Sequence, residues 1–96
     1  MFSLLSNGAK VLQNKVFLLK FVPHSGSSRF CFSVSKKVAK NAVVRNRLRR
    51  EGYRALNNYI PDIKSNILAV FSFKIVPKNY EEFIKNLESI LNDSFL

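Results

Sequence analysis

The chain has 96 residues, 47% of them hydrophobic, with nine Phe and a formal net charge of +10. That length supports one small core, hence a single domain over 1–96, and the apolar content is too high for a disordered basic tail. One cysteine, Cys31, and one histidine, His24, exclude an internal disulfide and a four-ligand zinc site.

In chain order, the first nine residues, MFSLLSNGA, lack a basic start and a long enough apolar stretch for a secretory signal. No apolar run approaches the length of a membrane span, so a cytoplasmic protein without a membrane partner is expected. Phe2 to Ser6 reads as a helical turn stopped by Asn7-Gly8. Lys15 to Val22 is β-branched and aromatic and ends at Pro23. Arg29 to Ser35 alternates, with Phe30, Phe32 and Val34 on one side and Arg29, Cys31, Ser33 and Ser35 on the other. The two are expected to form an antiparallel pair across a loop of about six residues. From Asn41 to Tyr59 the period is helical, with Val44, Leu48, Ala55 and Tyr59 on one stripe and Pro61 as the stop. Asn66 to Phe73 is an almost wholly apolar strand, expected to be covered on both faces. Asn79 caps a last helix, Tyr80 to Leu91, with Glu81 and Glu82 in its first turn. A strand on each side of the basic helix makes a crossover unit if the two are parallel.

Between Arg29 and Arg54 there are nine Lys or Arg against one acid, Glu51, so eight of the ten net charges fall in 26 residues. Arg45, Arg47, Arg49, Arg50 and Arg54, with Asn46 and Tyr53, spread over the helix face opposite Val44, Leu48 and Ala55. Arg suits phosphate because its planar fork donates two hydrogen bonds to a pair of oxygens. Like charges at i, i+4, Arg45 with Arg49 and Arg50 with Arg54, disfavour the isolated helix by roughly 0.2 to 0.5 kcal/mol each, a repulsion that an anionic ligand relieves. An ordinary solvated basic face is the bland alternative, weakened here by the localisation of the charge and the near absence of acids. A membrane-lying helix needs a bulkier apolar face than Val, Leu, Ala and Tyr provide.

Lys36, Lys37 and Lys40 extend the cationic surface where the strand turns into the helix. Arg29, Ser33 and Ser35 make one strand face polar and small enough for a single strand of nucleic acid to approach. Phe17 and Phe21 are candidate stacking platforms, with core packing as the competing assignment. His24 lies in a Pro, Ser and Gly loop without a local acid, and Cys31 lies mid-strand without a partner. No constellation for protein-based catalysis is legible, so any chemistry belongs to something the chain binds.

The stretch SVSKKVAKNAVVRNRLRR resembles the signature of the bacterial ribonuclease P protein subunit family: a Ser-Val-Ser-Lys-Lys strand end followed by an Arg-Asn-Arg helix. RFCFSVSKK is similar to that family's central strand and NYEEFIKNLESIL to its final helix. The resemblance implies an α+β fold, a two-layer α/β sandwich of ribosomal-protein type with a small central sheet and a left-handed βαβ crossover around the basic helix. It implies the protein subunit of a ribonucleoprotein endoribonuclease that removes the 5′ leader from precursor tRNA, one copy per catalytic RNA, with the catalytic centre and its Mg²⁺ in the RNA. By the same resemblance Lys36, Lys37, Lys40, Arg45, Asn46, Arg47, Arg49 and Arg50, with Arg54 beyond them, contact the RNA subunit. The face carrying Phe2, Phe17, Leu19, Arg29, Ser33 and Ser35 holds the single-stranded leader. Gly52 departs from the family's helix pattern and costs about 1 kcal/mol of helix propensity relative to Ala. The same basic helix would also serve a non-catalytic structural RNA binder of ribosomal-protein type. A protein-only nuclease is disfavoured by the lack of clustered acids.

Overall fold

Strand alternation sets the layering of the computed structural model, which describes residues 10–63 and 66–94. Strands β1 (Lys10–Gln13), β2 (Phe17–Pro23), β3 (Arg29–Ser33) and β4 (Ile67–Phe73) form one mixed sheet in the order β1-β2-β4-β3. Helices α1 (Ala42–Leu56) and α2 (Tyr80–Ser94) complete it, with a short 3-10 turn at Ile60–Asp62. The expected helix at Phe2 to Ser6 lies outside the described residues.

The expected antiparallel pairing of β2 with β3 is wrong. Strand β4 lies between them, antiparallel to β2 and parallel to β3. An almost wholly apolar strand is stable only where both edges are hydrogen-bonded and both faces covered, which places β4 at the centre. The β3-α1-β4 segment is therefore the parallel crossover unit that the element order allowed.

Strand β1 was not anticipated. Its turn into β2 is built by Asn14, whose Oδ1 accepts from the amides of Val16 (3.1 Å) and Phe17 (2.9 Å). The Asn14 amide group also donates to the Asn86 carbonyl of α2 at 2.8 Å, fastening the hairpin to that helix. Lys15, Tyr59 and Pro61 mark further boundary shifts. Strand β2 starts two residues late, and α1 ends at Leu56, with Asn57 as its cap.

Register divides the sheet into two faces. Phe17, Leu19 and Phe21 of β2 share a face with Phe30 and Phe32 of β3 and Ile67, Ala69, Phe71 and Phe73 of β4. Both helices join the core there, through Leu48, Ala55 and Leu56 of α1 and Phe83, Leu87, Ile90 and Leu91 of α2. Its centre is aromatic: Phe17 meets Phe73 at 4.8 Å, and Phe32 stacks on Phe71 at 4.9 Å. The other face carries a small cluster of Leu68 and Val70 with Val22 and Cys31.

The start of α2 has a reciprocal cap. Asn79 Oδ1 accepts from the Glu82 amide at 2.8 Å, and Glu82 Oε1 accepts from the Lys78 amide at 2.9 Å. The Lys78 amide first, and then the Lys15 ammonium at 2.9 Å, hold the Glu82 carboxyl below the usual carboxylate range. Because the folded value lies below the unfolded one, the contribution is complete above the ordinary value of 4.5 and is lost as pH falls through the folded value. The stability advantage of the native chain over Glu82→Gln is therefore expected to shrink on acidification below about pH 4.5. Urea midpoints of both proteins across the acid range check this. An advantage independent of pH would mean that Glu82 acts through its shape alone.

Candidate nucleic-acid interface

Two short segments present the cations. After β3, the Val38 and Ala39 amides both donate to the Ser35 carbonyl at 3.1 Å, closing a tight turn. Val38 and Ala39 point toward the core while Lys36, Lys37 and Lys40 are exposed. Asn41 then caps α1, its side chain accepting from the Val43 amide at 2.8 Å. Helix α1 buries Leu48, Gly52, Ala55 and Leu56, and this contact side fixes where the guanidinium groups emerge.

The arginines have different surroundings. Arg45 turns back on the loop, its Nη1 donating to the carbonyls of Ala39 (2.9 Å) and Lys40 (2.7 Å). It braces the lysine turn against the helix as well as contributing charge. Arg49 donates to the Asn46 side-chain carbonyl, and Arg47 is loosely paired with Glu51 at 3.9 Å. Part of the like-charge repulsion along the helix is thus relieved within the chain. Arg50, Arg54, Lys36, Lys37 and Lys40 are exposed, and no carboxylate pairs with them among the described residues. These five are the cations most available to phosphates.

Gly52 is what brings α1 this close to the sheet. A Cβ there would lie 2.6 to 2.8 Å from the Phe32 ring, so only glycine lets the ring lie against the helix backbone. Beside it, Tyr53 packs edge-on against Phe32 at 5.2 Å, and its hydroxyl accepts from the Phe32 amide at 3.2 Å. That bond satisfies a donor on the outer edge of β3. At the far end of α1, the Tyr59 hydroxyl donates to Glu88 at 3.2 Å; partial burial and then this bond push the phenol above its ordinary value.

The residues expected to hold a single strand do not share one surface. Phe17 and Leu19 are completely buried under the helices, so neither presents a platform to a ligand; this corrects the expectation for both. Phe21 is half-buried against the same core. Arg29 and Ser33 lie on the opposite sheet face, Ser35 is exposed beyond the strand end, and Phe2 lies outside the described residues. Leu18 and Lys20, which pair with Ser72 and Val70, occupy the face of Arg29 and Ser33 instead. The signal was the alternation of β2: when Phe17, Leu19 and Phe21 serve the core, the residues between them point the other way.

Among the described residues no group of three or more His, Cys, Asp or Glu is placed to hold a metal ion, and none of the helices is long and apolar enough to cross a membrane. What remains is a cationic helix and turn on one side of a small α+β domain, rigidly seated by Gly52 and Arg45.

Comparison with known proteins gives this arrangement a family. The ribonuclease P protein components of Microcystis aeruginosa and Synechocystis sp. are each 38% identical to the chain. The matches run over 68 and 71 residues, covering 69% and 70% of this chain and 57% and 56% of the relatives. The chain thus spans a little over half the length of these curated relatives. In fold it is similar to the RNase P protein of Staphylococcus aureus, with a TM-score of 0.85 at 20% identity, covering 97% of this chain and 87% of that one. The Thermotoga maritima protein gives 0.82 at 22% identity, covering 96% and 89%. The family model described as Ribonuclease P matches residues 1–94, and with relatives this similar over two thirds of its length, the chain belongs to the ribonuclease P protein family.

Proposed function

We propose that the chain is the protein subunit of ribonuclease P: it binds the catalytic RNA and the 5′ leader of precursor tRNA in the cytoplasm, as one copy per RNA, and so promotes endonucleolytic removal of the leader. The observation that carries this reading is the cationic surface of α1 and the turn before it, where Lys36, Lys37, Lys40, Arg50 and Arg54 are exposed and pair with no carboxylate among the described residues, in a member of this family. Lys36, Lys37, Lys40, Arg47, Arg49, Arg50 and Arg54 neutralise phosphates of the RNA, and Asn46 positions the Arg49 fork. Arg45 keeps the lysine turn in register with the helix. On the second sheet face Lys20 and Arg29 supply positive charge and Ser33 supplies hydroxyl donors to the leader backbone.

The basic face does not suit a hard divalent cation, which takes carboxylate and carbonyl oxygens. In this reading the Mg²⁺ used for hydrolysis is held by RNA and substrate. The protein lowers the electrostatic cost of bringing the two polyanions together, which makes less Mg²⁺ necessary.

Cleavage of precursor tRNA by the cognate catalytic RNA at low Mg²⁺, with and without the chain, tests the proposal. Strong stimulation is expected, and no activity from the chain alone. Tight RNA binding without stimulation would overturn it in favour of a structural RNA binder.

A further inference from the structure

A groove runs between α1 and the start of α2, with Arg47 and Glu51 on one wall, Lys78 and Tyr80 on the other, and Leu48 and Phe83 as its floor. Its volume of about 160 Å³ is well below the several hundred Å³ typical of sites for larger small molecules, and suits one planar group. Tyr80 is 63% exposed, although the helix it opens buries its other aromatic, Phe83, almost completely. Its ring leans on Phe83 at 5.8 Å and lines the groove.

Side chains carry the recognition at this place. Two of the nearby amides, those of Lys78 and Glu82, are already taken by the reciprocal cap of α2. Lys78 makes no close ion pair among the described residues and acts on the Glu82 carboxylate only from a distance, and Arg47 is held only by the 3.9 Å contact with Glu51. An exposed ring in a groove that also holds two such cations and a carboxylate acceptor matches the components of a nucleotide: a base to stack, a phosphate to neutralise and an edge to read. The groove is also continuous with the basic helix through Arg47. Two other depressions among the described residues lack this combination. One, on the outer face of α2, mixes Lys85 with Glu88 and Asp93 and has no aromatic; another, around Phe30, Ile60 and Ile63, has no charge.

We propose that this groove receives one unpaired nucleotide of the catalytic RNA, its base stacked on Tyr80 and its phosphate held by Arg47 and Lys78. The inference rests on the reading of the chain as an RNA-binding subunit. It extends the contact surface from α1 onto α2, which the sequence signature does not reach.

The test compares affinity for the cognate catalytic RNA across a range of salt concentrations for the native chain, Tyr80→Ala, Tyr80→Phe and Arg50→Ala, with thermal melts to check folding. Loss of a stacked base weakens Tyr80→Ala by roughly tenfold at every salt concentration without changing the salt slope, while Tyr80→Phe stays within about twofold. Arg50→Ala instead makes the slope shallower. If Tyr80→Ala binds like the native chain while Arg50→Ala is weakened, the groove is not an RNA site, and a protein partner there gives this same result. If neither variant is weakened, the RNA-binding reading fails with it. A Tyr80→Phe variant as weak as Tyr80→Ala would overturn stacking in favour of the hydroxyl.

Discussion

Gly52→Ala is expected to destabilise the protein by about 1 to 3 kcal/mol, although helix propensity alone predicts a gain of about 1 kcal/mol. The added methyl would sit 2.6 Å from Cδ1 of Phe32 and 2.8 Å from Cγ and Cε1, well inside van der Waals contact. The ring has little room to retreat: it is 2% exposed, stacked on Phe71 at 4.9 Å and met edge-on by Tyr53 at 5.2 Å. Relief requires α1 to lift from β3, which also stretches the bond from the Phe32 amide to the Tyr53 hydroxyl. Urea unfolding measures the balance, and a Gly52→Ala protein more stable than the native one would show that the helix moves away at little cost. Adding Phe32→Leu should recover part of the loss by removing the ring atoms that clash.

The second large effect separates two arginines that look equivalent in the sequence. Arg50→Ala is expected to leave stability within about 0.5 kcal/mol of native, as for an exposed residue without partners. It should weaken RNA binding and make the log-log salt slope shallower by about one. With roughly five phosphates neutralised, the native slope is about −4. Arg45→Ala should lose about 1 to 2 kcal/mol of stability as well, because its guanidinium donates to two loop carbonyls. It should also lower affinity beyond its own charge, since the turn carrying Lys36, Lys37 and Lys40 loses its brace. Matched unfolding curves and salt titrations distinguish the two, and equal stabilities would remove Arg45 from its positioning role. A slope near zero for the native chain would remove the electrostatic basis of RNA binding altogether.

Much of this could be read from the residues. The cationic segment, the side on which α1 packs and the buried character of β4 follow from composition and period, since burying apolar groups on one stripe leaves the charged groups opposite. Gly52, by contrast, stood out in the sequence only as a departure from the family's helix pattern with a propensity cost. Its role depends on Phe32, twenty positions earlier, and local sequence does not show that the two meet.

Strand neighbours were misjudged for a related reason. Alternation tells which residues of a strand share a face, but not which strand supplies the hydrogen-bonding edge. The local loop from Pro23 to Ser28 suggested a hairpin, while β4, far along the chain, pairs with both β2 and β3 because it alone is apolar on both faces. The same long-range pairing turned Phe17 and Leu19 into core and left Lys20 and Arg29 on the other face. Charge content and periodicity therefore sufficed for the kind of partner and the helix that meets it. Which arginine braces and which is free, and which sheet face is open to a ligand, depended on contacts between segments distant in the chain, where packing and carbonyl geometry override local pattern.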